Sequence, residues 1–155
     1  MTKDKSFEVF VSDYSSSIDE WRAAQAMPKS KLPPLSEEQR HVARKMGIPE
    51  EDYRRNVFAG ELGEKRLRNR GEDLGLVVEK LLSKLGAGYR LDAVKGEMIN
   101  SRWLCRVETP EGIVNVAISR ELVDDVLDSG ATEEREKLKR HILAELGRIE
   151  GITRH

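Results

Sequence analysis

The sequence predicts an α+β protein: an N-terminal polar arm, a helical segment, then a three-stranded antiparallel meander covered by two C-terminal helices. Three observations predict it. Between Leu35 and Leu85 apolar residues recur at three- and four-residue spacing, as a helix packed along one side requires. After Gly86-Ala87-Gly88 the spacing changes to alternation and holds to Ile118, and short links between such strands cannot make parallel crossovers. Helical spacing then returns behind Ser119 and again behind Thr132, and two helices can cover a sheet with one apolar face.

Residues 1–34 form the arm. Phe7, Val9 and Val11 alternate as a short strand does, and Tyr14 with the serines after it breaks the pattern. Asp19 is placed to cap a short helix through Trp21, Ala23, Ala24 and Met27. Pro28, Pro33 and Pro34 stop any helix and stiffen the approach to Leu35. Phe7, Phe10 and Trp21 are either anchors for a partner or side chains that pack on the parent domain.

The helical segment is residues 35–85. Ser36 is a good N-cap, with Glu37 and Glu38 in the positive first turn and Gln39 three residues after the cap. Val42, Ala43 and Met46 supply an apolar face, and Gly47 ends the helix. Ile48-Pro49 restarts it, followed by Glu50, Glu51 and Asp52, and Tyr53, Val57 and Phe58 face inward. Two short helices around a glycine-centred turn are expected. Past Gly60, Leu67, Leu74, Val77 or Val78, Leu81 and Leu85 keep helical spacing. Gly71 and Gly75 interrupt it, each at about 1 kcal/mol against Ala. They either admit close approach of another helix or mark a break, so one kinked or interrupted helix is expected from about Glu61 to Leu85. Leu67, Leu74 and Leu81 on that seam are the candidate self-association contacts.

Ala43, Gly47 and Tyr53 match the spacing of a helix-turn-helix, with small residues where two helices cross closely. The second helix would begin Pro49-Glu50-Glu51-Asp52, however, and three acids at that end oppose phosphate. The stretch Leu35–Arg55 also resembles a short helical segment of some phage head-maturation and scaffold-type proteins, carried by Leu35, Glu38, Met46, Gly47 and Pro49. That resemblance implies a helical assembly or interaction element and brings no catalytic residue with it.

Residues 86–155 stand as a strand-and-helix unit, by themselves or as one compact domain with 35–85. Tyr89, Leu91 and Ala93 line one face of the first strand, Trp103, Cys105 and Val107 the second, and Val114, Val116 and Ile118 the third. Thr109-Pro110-Glu111-Gly112 is a turn sequence closing a hairpin. Leu122, Val123, Val126 and Leu127 face inward on the helix capped by Ser119, which Ser129-Gly130 ends. Leu138, Ile142, Leu146 and Ile149 face inward on the helix capped by Thr132.

Charged residues make up 35% and aromatic residues 5% of the 155, with a net charge of -1. Solvated helix faces fit that balance, and an extended base-stacking surface does not. Nucleic-acid contact would need a local patch, and Arg54, Arg55, Lys65, Arg66, Arg68 and Arg70 offer one against Glu61 and Glu64. A single cysteine excludes an intramolecular disulfide and a cysteine-rich metal site. No signal-peptide pattern or membrane-length apolar run is visible, so a soluble, cytoplasmic protein is expected. His41, His141 and His155 lack metal-ligand spacing, and the glycines lack a phosphate-loop pattern. No catalytic residue, cofactor site or metal site is assigned. The expected function is a non-enzymatic protein-interaction or adaptor protein with a protein partner or itself, and a nucleic-acid-binding regulator is the alternative.

Overall fold

The computed structural model describes residues 7–12 and 16–153, the side chains as far as Gly147. Expectations for Tyr14, for the side chain of Ile149 and for His155 lie outside what is described. The described chain falls into two compact units. One combines the stretch before Tyr14 with the chain from Leu67 onward, and the other is Tyr14–Arg66.

The first unit is built on a sheet. Its strands are β1 (Glu8–Ser12), β2 (Arg90–Glu97), β3 (Arg102–Thr109) and β4 (Gly112–Ser119). They lie in the order β1-β2-β3-β4. The meander β2-β3-β4 is antiparallel as expected, but β1 adds a fourth strand parallel to β2, from Glu8 against Ala93 to Ser12 against Glu97. Parallel pairing needs a long connection, and everything between Ser12 and Arg90 supplies it. The sheet is mixed because the arm joins it.

Alternation places Trp103, Cys105 and Val107 on the buried face of β3, and Val114, Val116 and Ile118 on that of β4. Along β2 the alternation slips. A bulge between Leu91 and Ala93 advances the phase, so Leu91 and Val94 are buried and Ala93 is not. An extra residue on one strand is what a bulge inserts. Thr109 closes the β3-β4 turn by accepting from the Glu111 N–H at 3.2 Å and donating to the Gly112 carbonyl at 2.9 Å.

Three helices share that core: the part of α3 (Glu50–Ser83) from Leu67 on, α4 (Arg120–Ser129) and α5 (Thr132–Thr153). Leu67, Leu74, Val78 and Leu82 join Val123, Val126, Leu138, Ile142 and Leu146 in one cluster with the sheet. Ser119 caps α4 through the Leu122 N–H, and Gly130 ends it in the left-handed conformation at φ 63°. α3 runs without interruption through Gly71 and Gly75. A Cβ at Gly71 would lie 2.7 Å from Val9 Cγ1 and 3.0 Å from Trp103 Cζ3, and one at Gly75 would overlap the Phe7 ring. The glycines admit a strand and an indole, where the sequence suggested another helix. Each outer strand also has a carbonyl occupied: Arg68 donates to Val9 O at 3.3 Å, and His141 Nε2 lies 2.6 Å from Ala117 O. A carbonyl can only accept, so Nε2 is the donor in this contact.

The second unit is helical. It holds α1 (Ile18–Ala26), a 3₁₀ turn (Lys29–Lys31), α2 (Glu37–Met46) and the part of α3 up to Arg66. Ser17, not Asp19, caps α1, because Glu20 three residues on completes a capping box with it. Ser36 and Gln39 form the same box on α2, and Gly47 at φ 69° ends that helix. The expected second short helix is instead the start of the 34-residue α3, which runs through Gly60. The buried apolar side chains here are small or few: Ala24, Leu32, Leu35, Ala43 and Ala59.

Candidate functional site

The cations proposed from sequence for phosphate contact are mostly engaged inside the protein. Arg55 Nη1 reaches the carbonyls of Ala24, Gln25 and Met27 at 2.9, 3.1 and 2.7 Å, and Nη2 pairs with Glu51 at 3.0 Å. A guanidinium there supplies donors to carbonyls at the end of α1, where Ala24 O otherwise has only the Met27 N–H at 3.4 Å. Arg54 donates to Lys29, Leu32 and Pro33 carbonyls, holding the turn and the proline-rich stretch to α3. Arg66 Nε binds Glu20 Oε2 at 2.8 Å. Burial opposes the Glu20 charge, but Arg66 and the Ser17 N–H and hydroxyl outweigh it and hold the carboxyl below its ordinary value. In the sheet unit, Arg68 donates to Val9, and Arg70 reaches Asp128 at 3.0 Å and Asp124 at 3.5 Å on α4. Lys65 is exposed.

The proposed partner contacts divide in the same way. Phe7, Leu67 and Leu74 are buried in the sheet unit's core, and Leu81 packs partly against it. Leu67 and Leu74 therefore present no apolar surface to a second copy, because the seam is filled by the chain's own sheet. Phe10 and Trp21 are about half exposed, at 47% and 50%.

A different place gathers unengaged charge. Between the C-terminal turns of α3 and the first turns of α5 lies a cleft of about 380 Å³, in the size range of ligand pockets. Leu76, Val77 and Leu81 give it an apolar floor. Lys80 and Lys84 stand on the α3 bank, Arg135 and Lys139 on the α5 bank, and Thr132 and Glu136 complete the lining. Among the described residues none of the four cations has an ion-pair partner, in contrast to Arg55, Arg66 and Arg70. Four cations face one lining carboxylate on a chain of net charge -1, so the local potential opposes the molecule's overall charge.

Sequence reasoning missed this site. Lys80 and Lys84, like Arg135 and Lys139, are four apart, the spacing of one helix face, although α3 ends at Ser83; which two faces meet is a property of the fold.

The remaining chemistry-bearing groups do not converge. Cys105 is buried in β3, and desolvation pushes its thiol up to about 12. Its thiolate is the nucleophilic form, so it is unreactive in place. His41 is exposed on α2, and His141 is tied to Ala117. Among the described residues no three His, Cys, Asp or Glu side chains gather as a metal ion would need, and no helix is long and apolar enough to cross a membrane. No family model, curated protein or solved structure matches the chain.

Proposed function

We propose that the chain is a non-catalytic protein-interaction module, and that it binds an acidic, apolar-cored segment of a partner protein in the cleft between α3 and α5. The observation that carries this reading is the pairing of an apolar floor with four cations that have no ion-pair partner among the described residues. Desolvating a lysine or arginine costs free energy unless an anion replaces its water, and carboxylates beside an apolar ridge supply that anion while the ridge covers Val77 and Leu81. The nucleic-acid alternative has weaker support. Its arginines already serve Glu20, Asp124, Asp128 and backbone carbonyls, and an apolar floor does not complement phosphate.

Fluorescence anisotropy tests the reading with a labelled Leu/Glu peptide and its Leu/Lys counterpart. The acidic peptide binds and the basic one does not, and Lys84→Glu with Lys139→Glu lowers the affinity at least tenfold. Equal binding of both peptides, or no effect of the charge reversals, overturns it.

A further inference from the structure

We infer that the segment bound in the α3–α5 cleft docks as an α-helix, with an apolar ridge pointing at Val77 and Leu81 and acidic residues along both flanks. The inference rests on the reading of the cleft as a protein-docking site and specifies the shape of its occupant. Both banks repeat at a four-residue step: Lys80 in the last turn of α3 to Lys84 in the turn just past its end at Ser83, and Arg135 to Lys139 on α5. The floor repeats likewise, from Val77 to Leu81. Residues four apart on a helix lie about 6 Å from one another along one face.

Spacing along the cleft does not by itself select a helix, because alternate residues of a strand are also about 6.7 Å apart. The width of the site selects it. The site carries cations on two banks, with apolar residues of α3 in its lining. A strand presents a single row of side chains per face and can meet one of these at a time. A helix presents an apolar stripe roughly 100° wide with a polar flank on either side, and meets all three.

Backbone hydrogen bonding points the same way. An extended peptide gains affinity by adding to the edge of a sheet, but both banks here are helices, whose backbone bonds are made within themselves. A strand laid in this cleft leaves its own N–H and C=O groups against apolar side chains, at a cost comparable to a lost hydrogen bond for each. A helix satisfies them internally.

Three labelled peptides of one composition and about 20 residues, long enough for measurable helicity, test this on the intact chain. In the first, leucines follow helical spacing with glutamates on both flanks. In the second, the same residues alternate leucine and glutamate. The third keeps the first pattern with two central positions as proline, and a matching proline pair placed at the end of the first peptide equalises composition. The first peptide binds at least tenfold tighter than the others and gains helical circular dichroism on binding. Lys84→Glu with Lys139→Glu removes that advantage while leaving the protein's own spectrum unchanged. Equal affinity for all three peptides, with the charge reversals still effective, overturns the helical docking and leaves the protein-docking reading standing. No binding of any peptide, or a labelled DNA duplex displacing the first peptide at equal concentration, overturns both.

Discussion

Replacing Gly75 by Ala tests how closely β1 and α3 approach, and the sign of the effect decides the matter. In an open helix position a Gly-to-Ala change stabilises by about 1 kcal/mol, since glycine gives up more backbone freedom on folding. Gly75 is buried, and a Cβ there overlaps the ring of Phe7, itself only 4% exposed. The ring has no free volume to retreat into without losing its own burial. Over-packing of this kind costs about 1–3 kcal/mol, and with both ring-edge carbons in the way the upper part of that range applies. Setting the propensity gain against it leaves a net loss of about 2 kcal/mol. Gly60 is the control. It lies in the same helix with nothing within 4 Å of a Cβ, so Gly60→Ala gains up to about 1 kcal/mol. Urea unfolding followed by fluorescence of the buried Trp103 reads the Gly75 variant, and far-UV circular dichroism reads the Gly60 variant. In a Phe7→Ala background the overlap is gone, and Gly75→Ala becomes stabilising. If Gly75→Ala in the wild type gained as much as Gly60→Ala, the packing of Phe7 on α3 would be refuted.

Three further outcomes are expected. Cys105 resists iodoacetamide in the native protein at pH 8 and reacts once urea unfolds it, because burial raises its thiol to about 12; modification at the rate of a free thiol contradicts its placement. Glu20→Gln keeps the capping box but removes the charge facing Arg66, at about 0.5–1 kcal/mol. Since the folded carboxyl lies below its ordinary value, wild type exceeds this variant at neutral pH, and the gap closes as pH falls through the folded value; a gap constant down to pH 2 is the contrary result. Arg55→Ala, which removes the guanidinium from three carbonyls at the end of α1 and leaves Ala24 O only its bond from the Met27 N–H, lowers amide protection across Ile18–Ala26 by about 2 kcal/mol, whereas Lys65→Ala stays within about 0.5 kcal/mol; equal effects contradict this role of Arg55.

Local signals in this chain report local structure well. Ser36 with Gln39, Gly47, Ser119 and Gly130 mark helix ends that the structure has, because caps depend on residues within one turn. The alternation of Trp103, Cys105 and Val107, and of Val114, Val116 and Ile118, marks the buried face for a similar reason. What was not legible depends on distant partners. Val9 and Val11 alternate as a strand, but their pairing with β2 joins residues some 85 positions apart. The bulge after Leu91 moves Ala93 out of phase through its register with Arg106, and nothing within β2 announces it. Gly71 and Gly75 read as helix weaknesses because the side chains that occupy the space, Val9, Trp103 and Phe7, lie far away in sequence.

The same distance effect inverts the apparent meaning of the basic stretch on α3. By composition alone, Arg54 to Arg70 is the most cationic part of the chain's middle, and charge of that density suggests an external anion. Guanidinium chemistry suits a different use. A planar fork of donors can satisfy several carbonyls at once, as Arg55 does at the end of α1 and Arg54 does along Lys29–Pro33. It can also hold two carboxylates on one neighbouring helix, as Arg70 does with Asp124 and Asp128. Lysine, a strongly hydrated point charge on a flexible stem, is poorer at both. At the end of α3 and in the turn past it the cations are Lys80 and Lys84, and they remain exposed at the cleft. Arginines tie helix ends, turns and neighbouring helices together inside the protein, whereas the lysines, with Arg135 and Lys139 across from them, have no ion-pair partner among the described residues.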